Sequence, residues 1–146
     1  MKAKAYLKQI EKMEAKKKIL DDELEKLETL ATRTTSVLGG ERVQTSGNKD
    51  KIADFAVKIS DMRQRINEEI VKIAEYRQDA LNVIFECETD CIKLLYEKYV
   101  KYKGWEEIAF EMSYTYQWVS GGLHQKALGQ VQKVLDEREE AKNEQH

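Results

Sequence analysis

The side chains best suited to specific recognition chemistry lie in one short stretch, residues 115–124. Gln117 carries an amide that can donate and accept hydrogen bonds together, the pattern that pairs with the major-groove edge of adenine. Ser120 carries a hydroxyl that can hydrogen-bond several bases. Residues three apart share a helix face, so this spacing places both side chains on one side of a helix.

The neighbouring residues suit contact with a nucleic acid in other ways. Small Gly121 would allow close approach to a groove wall, and lysines would contact phosphates, which position a protein without reading sequence. Between Met112 and Leu135 there are two lysines and no acidic residue, although the whole chain carries a net charge of −2. We predict these contact residues: Thr115, Tyr116, Gln117, Ser120, Gly121, His124, Lys126 and Lys133, with Lys101 and Lys103 as further phosphate contacts.

No set of residues indicates catalysis. The histidine closest in sequence to Ser120 is His124, one turn further on the same helix, which is a poor position for a general base. Cys87 and Cys91 are four apart, but the only histidines are His124 and His146, too few additional ligands for zinc. We expect the cysteines to be unpaired packing residues, and we expect no enzyme activity, metal or cofactor.

A helix-turn-helix arrangement would hold the contact residues outward. We predict a short helix over residues 105–112, a turn at Ser113 and Tyr114, and Thr115 as the N-cap of a longer helix. Ala109 supplies the small residue needed where two helices cross over a tight turn. The residues expected to fill the wedge between the helices are Ile108, Met112, Val119 and Leu123. The same pattern also suits a helical pair that only packs a core.

Two long amphipathic segments precede this region, over residues 2–31 and 51–85, with a predicted loop at 32–50. Their apolar residues recur at intervals of three and four, as on one face of a helix. The first stripe is Ile10, Met13, Lys17, Leu20, Leu24, Leu27 and Ala31; the second is Ile52, Phe55, Ile59, Met62, Ile66, Ile70, Ile73, Ala80 and Ile84. We predict an antiparallel hairpin, alone or paired with a second copy, followed by a third helix over residues 89–102 capped by Thr89.

Composition fits an all-α protein with long solvated helices. Charged residues make up 36% of the chain, whereas charged residues make up about 25% of an average globular domain. The chain contains no proline. No apolar run has the roughly 20 residues that a membrane span requires, and no signal-peptide core follows Met1. We therefore expect a cytoplasmic protein with a hairpin arm at 1–86 and a helix-turn-helix domain at 87–146.

Several sequence blocks resemble a known family. The blocks are Gly39-Gly40-Glu41-Arg42-Val43-Gln44-Thr45-Ser46-Gly47, Glu107-Ile108-Ala109, Tyr114-Thr115-Tyr116-Gln117-Trp118-Val119 and Leu123-His124-Gln125-Lys126-Ala127-Leu128. Together they resemble phage-encoded transcriptional regulators of the ArpU and RinA type, and the C-terminal region resembles region 4 of sigma factors. The glycine at the turn of such motifs is replaced here by Ser113.

The resemblance implies control of late phage genes in the cytoplasm of a bacterial host. The expected partners are double-stranded DNA and host RNA polymerase, and the narrow apolar seams of the arm predict homo-oligomerisation. The alternative is a helical interaction or oligomerisation module, binding RNA polymerase or a packaging component, without sequence-specific DNA binding. For the segment 39–47, contact with DNA or a partner and a simple turn between helices both remain open.

Overall fold

The computed structural model describes residues 1–40 and 46–145, with side chains described for 1–34 and 49–145. The helices are α1 (Ala3–Gly40), α2 (Ser46–Ile84), α3 (Thr89–Leu95), α4 (Trp105–Met112) and α5 (His124–Glu144). Two π-helical segments, Tyr96–Val100 and Trp118–Leu123, continue α3 and lead into α5. Every regular element in the described residues is a helix, which confirms the all-α prediction. None of these helices is long and apolar enough to cross a membrane.

The first helix is longer than the sequence predicted. α1 continues to Gly40 and α2 begins at Ser46, so the predicted loop at 32–50 is wrong over most of its length. The hydroxyls of Thr32 and Thr34 donate to carbonyl oxygens four residues earlier, at 2.8 and 2.9 Å. Because the helix itself satisfies these hydroxyls, a threonine-rich stretch does not have to leave it. Residues 41–45 of the family-like block lie outside the described residues.

Residues 13–72 form one compact unit, in which α1 and α2 run antiparallel. The predicted stripes form the seam between them: Leu20 and Ile66 are buried, and Met13, Leu24, Leu27, Phe55, Ile59 and Met62 are half-buried. Arg63 crosses between the helices to Glu28 at 2.8 Å. Lys17, which interrupts the first stripe, is half-exposed and pairs with Asp21 along α1 at 2.8 Å.

Two isoleucines of the second stripe do not lie in the seam. Ile52 and Ile70 are exposed, and Glu69 is buried beside the position predicted for Ile70. The Glu69 carboxylate accepts a hydrogen bond from Lys16 Nζ at 2.9 Å. This bond, supported by Lys72, holds the pKa of Glu69 below its usual value. The paired carboxylate of Glu69 therefore lies in the seam, where the apolar spacing predicted Ile70.

Residues 1–12 and those from Ile73 onwards form a second compact unit. The expected boundary at residues 86 and 87 therefore does not match the packing, because both hairpin ends join the C-terminal helices in one core. Its buried residues include Ala3, Tyr6, Leu7, Ile10, Val83, Ile84, Cys91, Leu94, Leu95, Ile108, Val119, Leu123, Ala127 and Val131. Cys91 packs in this core and Cys87 is half-buried, both unpaired, which confirms their packing role.

A polar cluster ties three helices of this unit together. The Tyr6 hydroxyl donates to the Asp79 carboxylate, which also accepts from Arg138 at 3.0 and 3.1 Å. Tyr76 donates its hydroxyl to the backbone carbonyl of Tyr6 at 3.0 Å. The start of α1, the end of α2 and the end of α5 are thus joined by hydrogen bonds.

The third helix differs in detail from its prediction. Glu88 is the N-cap and makes no side-chain capping bond, so the predicted capping by Thr89 is wrong. The helix ends at Val100 through the π-helical segment, and Tyr102 takes a left-handed conformation with φ 60°. Gly104 then serves as the N-cap of α4.

Candidate nucleic-acid interface

A tight turn joins α4 to the next helix, at the position predicted. α4 ends at Met112, and Ser113 adopts the left-handed conformation with φ 60° and ψ 36°. The backbone N–H groups of Ser113 and Tyr114 donate to the carbonyls of Phe110 and Ala109, at 3.2 and 3.0 Å. This is the conformation for which glycine is favoured at a helix end. The replacement of glycine by serine therefore changes the residue but not the shape of the turn.

Thr115 caps the second helix of the pair. Its Oγ1 accepts a hydrogen bond from the backbone N–H of Trp118 at 3.2 Å, and its carbonyl accepts from Val119 at 3.1 Å. A side-chain oxygen that binds the N–H three residues on is the defining contact of an N-cap. The predicted cap is confirmed, and the helix runs without interruption over residues 116–144.

The apolar residues expected between the two helices are buried there. Ile108 and Val119 are fully buried, and Ala109 and Leu123 are nearly so, while Met112 is half-buried. These contacts fix α4 against the start of the following helix. They also decide which side of that helix faces solvent.

The solvent side carries most of the predicted contact residues. Thr115, Tyr116 and Gln117 are exposed, and Ser120 is half-exposed. The Ser120 hydroxyl donates to the carbonyl of Tyr116 at 2.8 Å, so its lone pairs remain available to accept. No heavy atom lies within 4 Å of a Cβ built on half-exposed Gly121, apart from its own backbone neighbours. The surface around the helix start is therefore accessible and polar.

His124 does not belong to this surface, and its predicted outward position is wrong. It is only 6% exposed, and its Nε2 lies 2.6 Å from the Tyr99 hydroxyl. The Trp105 ring meets it edge-on with 4.7 Å between centroids. In a regular α-helix residues 117, 120 and 124 would share one face. The π-helical segment inserts an extra residue and rotates the following chain by about 100°, which turns His124 inward.

The lysines differ in how free they are to meet a phosphate. Lys133 is exposed, whereas Lys126 pairs with Glu88 at 2.6 Å. Both members of that pair are at least half-exposed, and such surface pairs are weak and exchangeable. Lys126 and Lys133 therefore remain candidate phosphate contacts.

The two lysines before α4 are held by carboxylates. Lys103 lies between Glu97 at 2.7 Å and Glu111 at 2.8 Å. The hydrogen bonds that Lys103 donates to Glu111 and Glu97 raise the pKa of Lys103. Lys101 lies 3.8 Å from Glu97, and its ammonium sits over the Tyr96 ring. Because two carboxylates already hold its ammonium, Lys103 is less available to a phosphate than exposed Lys133.

Exposed aromatic side chains around the turn were missed from the sequence. Phe110 is 87% exposed, and Tyr114 and Trp118 are 40% and 44% exposed. Trp118 lies over Gly122, where an added Cβ would overlap the indole ring. Tyr114 donates its hydroxyl to Asp90 at 2.7 Å. A signal was present: each of these residues falls off the three-four spacing of the buried positions Ile108, Val119 and Leu123.

The described residues thus bring together an amide, a hydroxyl and aromatic rings at the capped start of a helix. Such a surface can exchange hydrogen bonds with base edges and stack on planar groups. Comparison with protein-family models, with curated proteins and with solved structures found no match for this chain.

Proposed function

We propose that this protein is a DNA-binding transcriptional regulator of phage type that reads duplex DNA with the helix starting after Thr115. One observation carries the proposal. Gln117 and Ser120 reach solvent at the capped start of a helix that is held behind a tight turn by α4. In helix-turn-helix proteins this end of the second helix enters the major groove.

The two side chains offer complementary chemistry. The Gln117 amide both donates and accepts, as adenine N7 and its amino group require. The Ser120 hydroxyl donates its hydrogen bond to the Tyr116 carbonyl. It is therefore an acceptor, suited to the amino group of adenine or cytosine. Together they favour readout of an A-containing step.

Local charge supports approach to the phosphate backbone. Residues 112–135 carry two lysines and no carboxylate, and the positive end of the helix dipole at the exposed helix start attracts anions. With so few cations, we expect affinity to fall with salt less steeply than for strongly basic proteins. Each lysine that neutralises a phosphate adds about 0.9 to the slope of log K against log salt.

The phage role rests on the resemblance to ArpU and RinA regulators. The residues that carry it in the described part of the chain include Glu107, Ile108, Ala109 and the segment 114–119. From this resemblance we infer control of late genes and contact with host RNA polymerase in the bacterial cytoplasm.

The test is selection of bound sequences from a random duplex DNA pool with the full chain, followed by mobility shifts on the enriched sequence. We expect an enriched motif whose affinity falls with salt. Gln117→Ala should weaken specific binding by roughly 1–3 kcal/mol and relax the preference at one base pair. The matched control is Gln145→Ala, an exposed glutamine at the far end of the same helix, which should leave binding unchanged.

Two outcomes contradict the proposal. Absence of any shifted duplex, even at low salt, would leave the helical interaction module as the function. An enriched motif bound equally well by Gln117→Ala and by Ser120→Ala would show that another surface reads DNA.

A further inference from the structure

α2 carries a second stripe that no other part of the described chain covers. We call it the outer face of α2; its members within residues 13–72 are Ala53, Val57, Ser60, Gln64, Asn67 and Val71. They recur at intervals of four and three, and all six are exposed. Val57 and Val71, two heptads apart, are 59% and 55% exposed. None of the six is charged, in a chain of which 36% is charged.

The position of this stripe makes its composition unusual. Each member precedes a seam residue of α2 by two positions, about 160° around the helix, so it lies opposite the hairpin seam. The equivalent row of α1 carries Lys18, Asp22 and Glu25. A solvent-facing side of a surface helix normally carries charged residues, as α1 does. The outer face of α2 has instead the pattern of a helix-helix seam.

Its side chains suit association with an identical helix. Ala53 and Ser60 are small and allow close approach, while the two valines supply apolar contact. Gln64 and Asn67 each carry a donor and an acceptor, so each amide can bond its own counterpart across a two-fold axis. Single amides at seam positions are known to fix register and a low number of strands.

The charges beside the stripe select a second copy in parallel orientation. Asp54, Asp61 and Glu68 directly follow its members on one side, and Ala56, Arg63 and Ile70 directly precede its members on the other. An antiparallel pair would set the acidic row against itself, which is repulsive. In a parallel pair the acidic row of one copy faces the row of the other copy that carries no carboxylate.

We propose that two copies of this chain associate through the outer face of α2, parallel and in register. The proposal does not depend on DNA binding, since it concerns residues 53–71 alone. It names the surface by which the expected homo-oligomer forms.

Sedimentation equilibrium of the full chain, without DNA, tests the association. The mass should rise from 17.0 kDa toward twice that value with concentration. Val71→Lys should weaken the dimer roughly tenfold or more, because like charges then face each other in the seam. The control is Ile19→Lys on α1, at a residue of similar exposure (62%), which should change nothing. A wild-type chain that stays monomeric, or equal weakening by both variants, overturns the proposal.

Disulfide cross-linking tests the orientation. Val57→Cys and Val71→Cys, made separately, should each form a symmetric dimer under mild oxidation, because in-register parallel helices bring each residue to its own counterpart. The wild-type chain, with its own Cys87 and Cys91, measures the background. An antiparallel pair can bring at most one of the two residues to its own counterpart. Cross-linking at only one position, or at neither, therefore overturns the proposed geometry.

Discussion

The hydroxyl of Tyr99 and Nε2 of His124 lie 2.6 Å apart inside the core of the unit formed by residues 1–12 and the C-terminal half. Tyr99 follows α3 in the π-helical segment, and His124 begins α5, so this hydrogen bond joins two elements of the core. Burial raises the pKa of Tyr99 to about 12. A hydroxyl with so high a pKa keeps its proton, and the tautomer of His124 decides which of the two groups donates.

This pair predicts how stability responds to pH. Burial lowers the pKa of His124 below 6.5, and the charges of Lys4 and Lys98 lower it further. The unfolded chain therefore takes up a proton at pH values where the folded chain does not. We expect the free energy of unfolding to be highest above about pH 6.5 and to decrease as the pH falls through the folded-state pKa. Urea unfolding between pH 8 and 5.5 measures it.

The control for the pH prediction is His124→Gln, whose amide can still accept from Tyr99 but does not titrate. Its overall stability should be lower, and its unfolding free energy should change less between pH 6.5 and 5.5. The carboxylates with lowered pKa values, such as Asp79, act at lower pH and do not confuse the comparison. Equal slopes for the two proteins would assign the pH dependence to another group.

The turn before the second helix predicts that Ser113→Gly stabilises the protein. Ser113 holds φ at 60°, which costs a residue with a Cβ about 1–2 kcal/mol. Glycine removes this cost but adds entropy to the unfolded chain, so the expected net gain is about 0.5–1 kcal/mol. Ser113→Val should destabilise, because a β-branched residue is a poor fit for this conformation. Thermal and urea unfolding of both variants check the two signs.

Two glycines of the same long helix should respond differently to replacement by alanine. A Cβ at exposed Gly129 meets nothing within 4 Å, so Gly129→Ala should stabilise by up to about 1 kcal/mol through helix propensity. At Gly122 the Cβ would overlap the Trp118 ring. Gly122→Ala should therefore lose this gain and shift the fluorescence of Trp118. A gain of equal size at both positions would show that the indole does not rest on Gly122.

We expect the loss of Lys133 to affect DNA binding and the loss of Lys103 to affect stability. Lys133→Ala should reduce the salt dependence of binding by about 0.9 in the log–log slope, because one phosphate contact is lost. Lys103→Ala should leave that slope unchanged, since Glu97 and Glu111 already hold this ammonium. It should instead lower stability slightly, because two carboxylates lose their shared cation. Mobility shifts over a salt series measure the slope, and a reduced slope for Lys103→Ala would contradict this assignment.

Much of the fold follows from local patterns in the sequence. The three-four spacing through Leu20 and Ile66 predicted the hairpin seam, since a narrow apolar stripe is stable only against a partner helix. The limits of α4, the turn at Ser113 and the cap at Thr115 were also predictable. These features depend on contacts between residues a few positions apart, which the sequence displays directly.

Other features of the fold depend on contacts between residues that are distant in the sequence. The spacing of apolar residues could not predict that Glu69 is buried in the seam in place of Ile70. Burial of Glu69 requires the hydrogen bond from Lys16, which is distant in the sequence. The spacing also could not predict that the first residues of α1 are linked to α5. This link is made by the hydrogen bonds that Tyr6 and Arg138 donate to Asp79.

For the candidate site, the sequence determined the exposed amide and hydroxyl at Gln117 and Ser120, since both follow from a cap and a helical period. Only the tertiary structure decided that His124 turns inward. Its partners Tyr99 and Trp105 come from other elements, and a π-helical segment shifts the helical register by one residue before it. A local period cannot reveal a register shift that is stabilised by contacts distant in sequence.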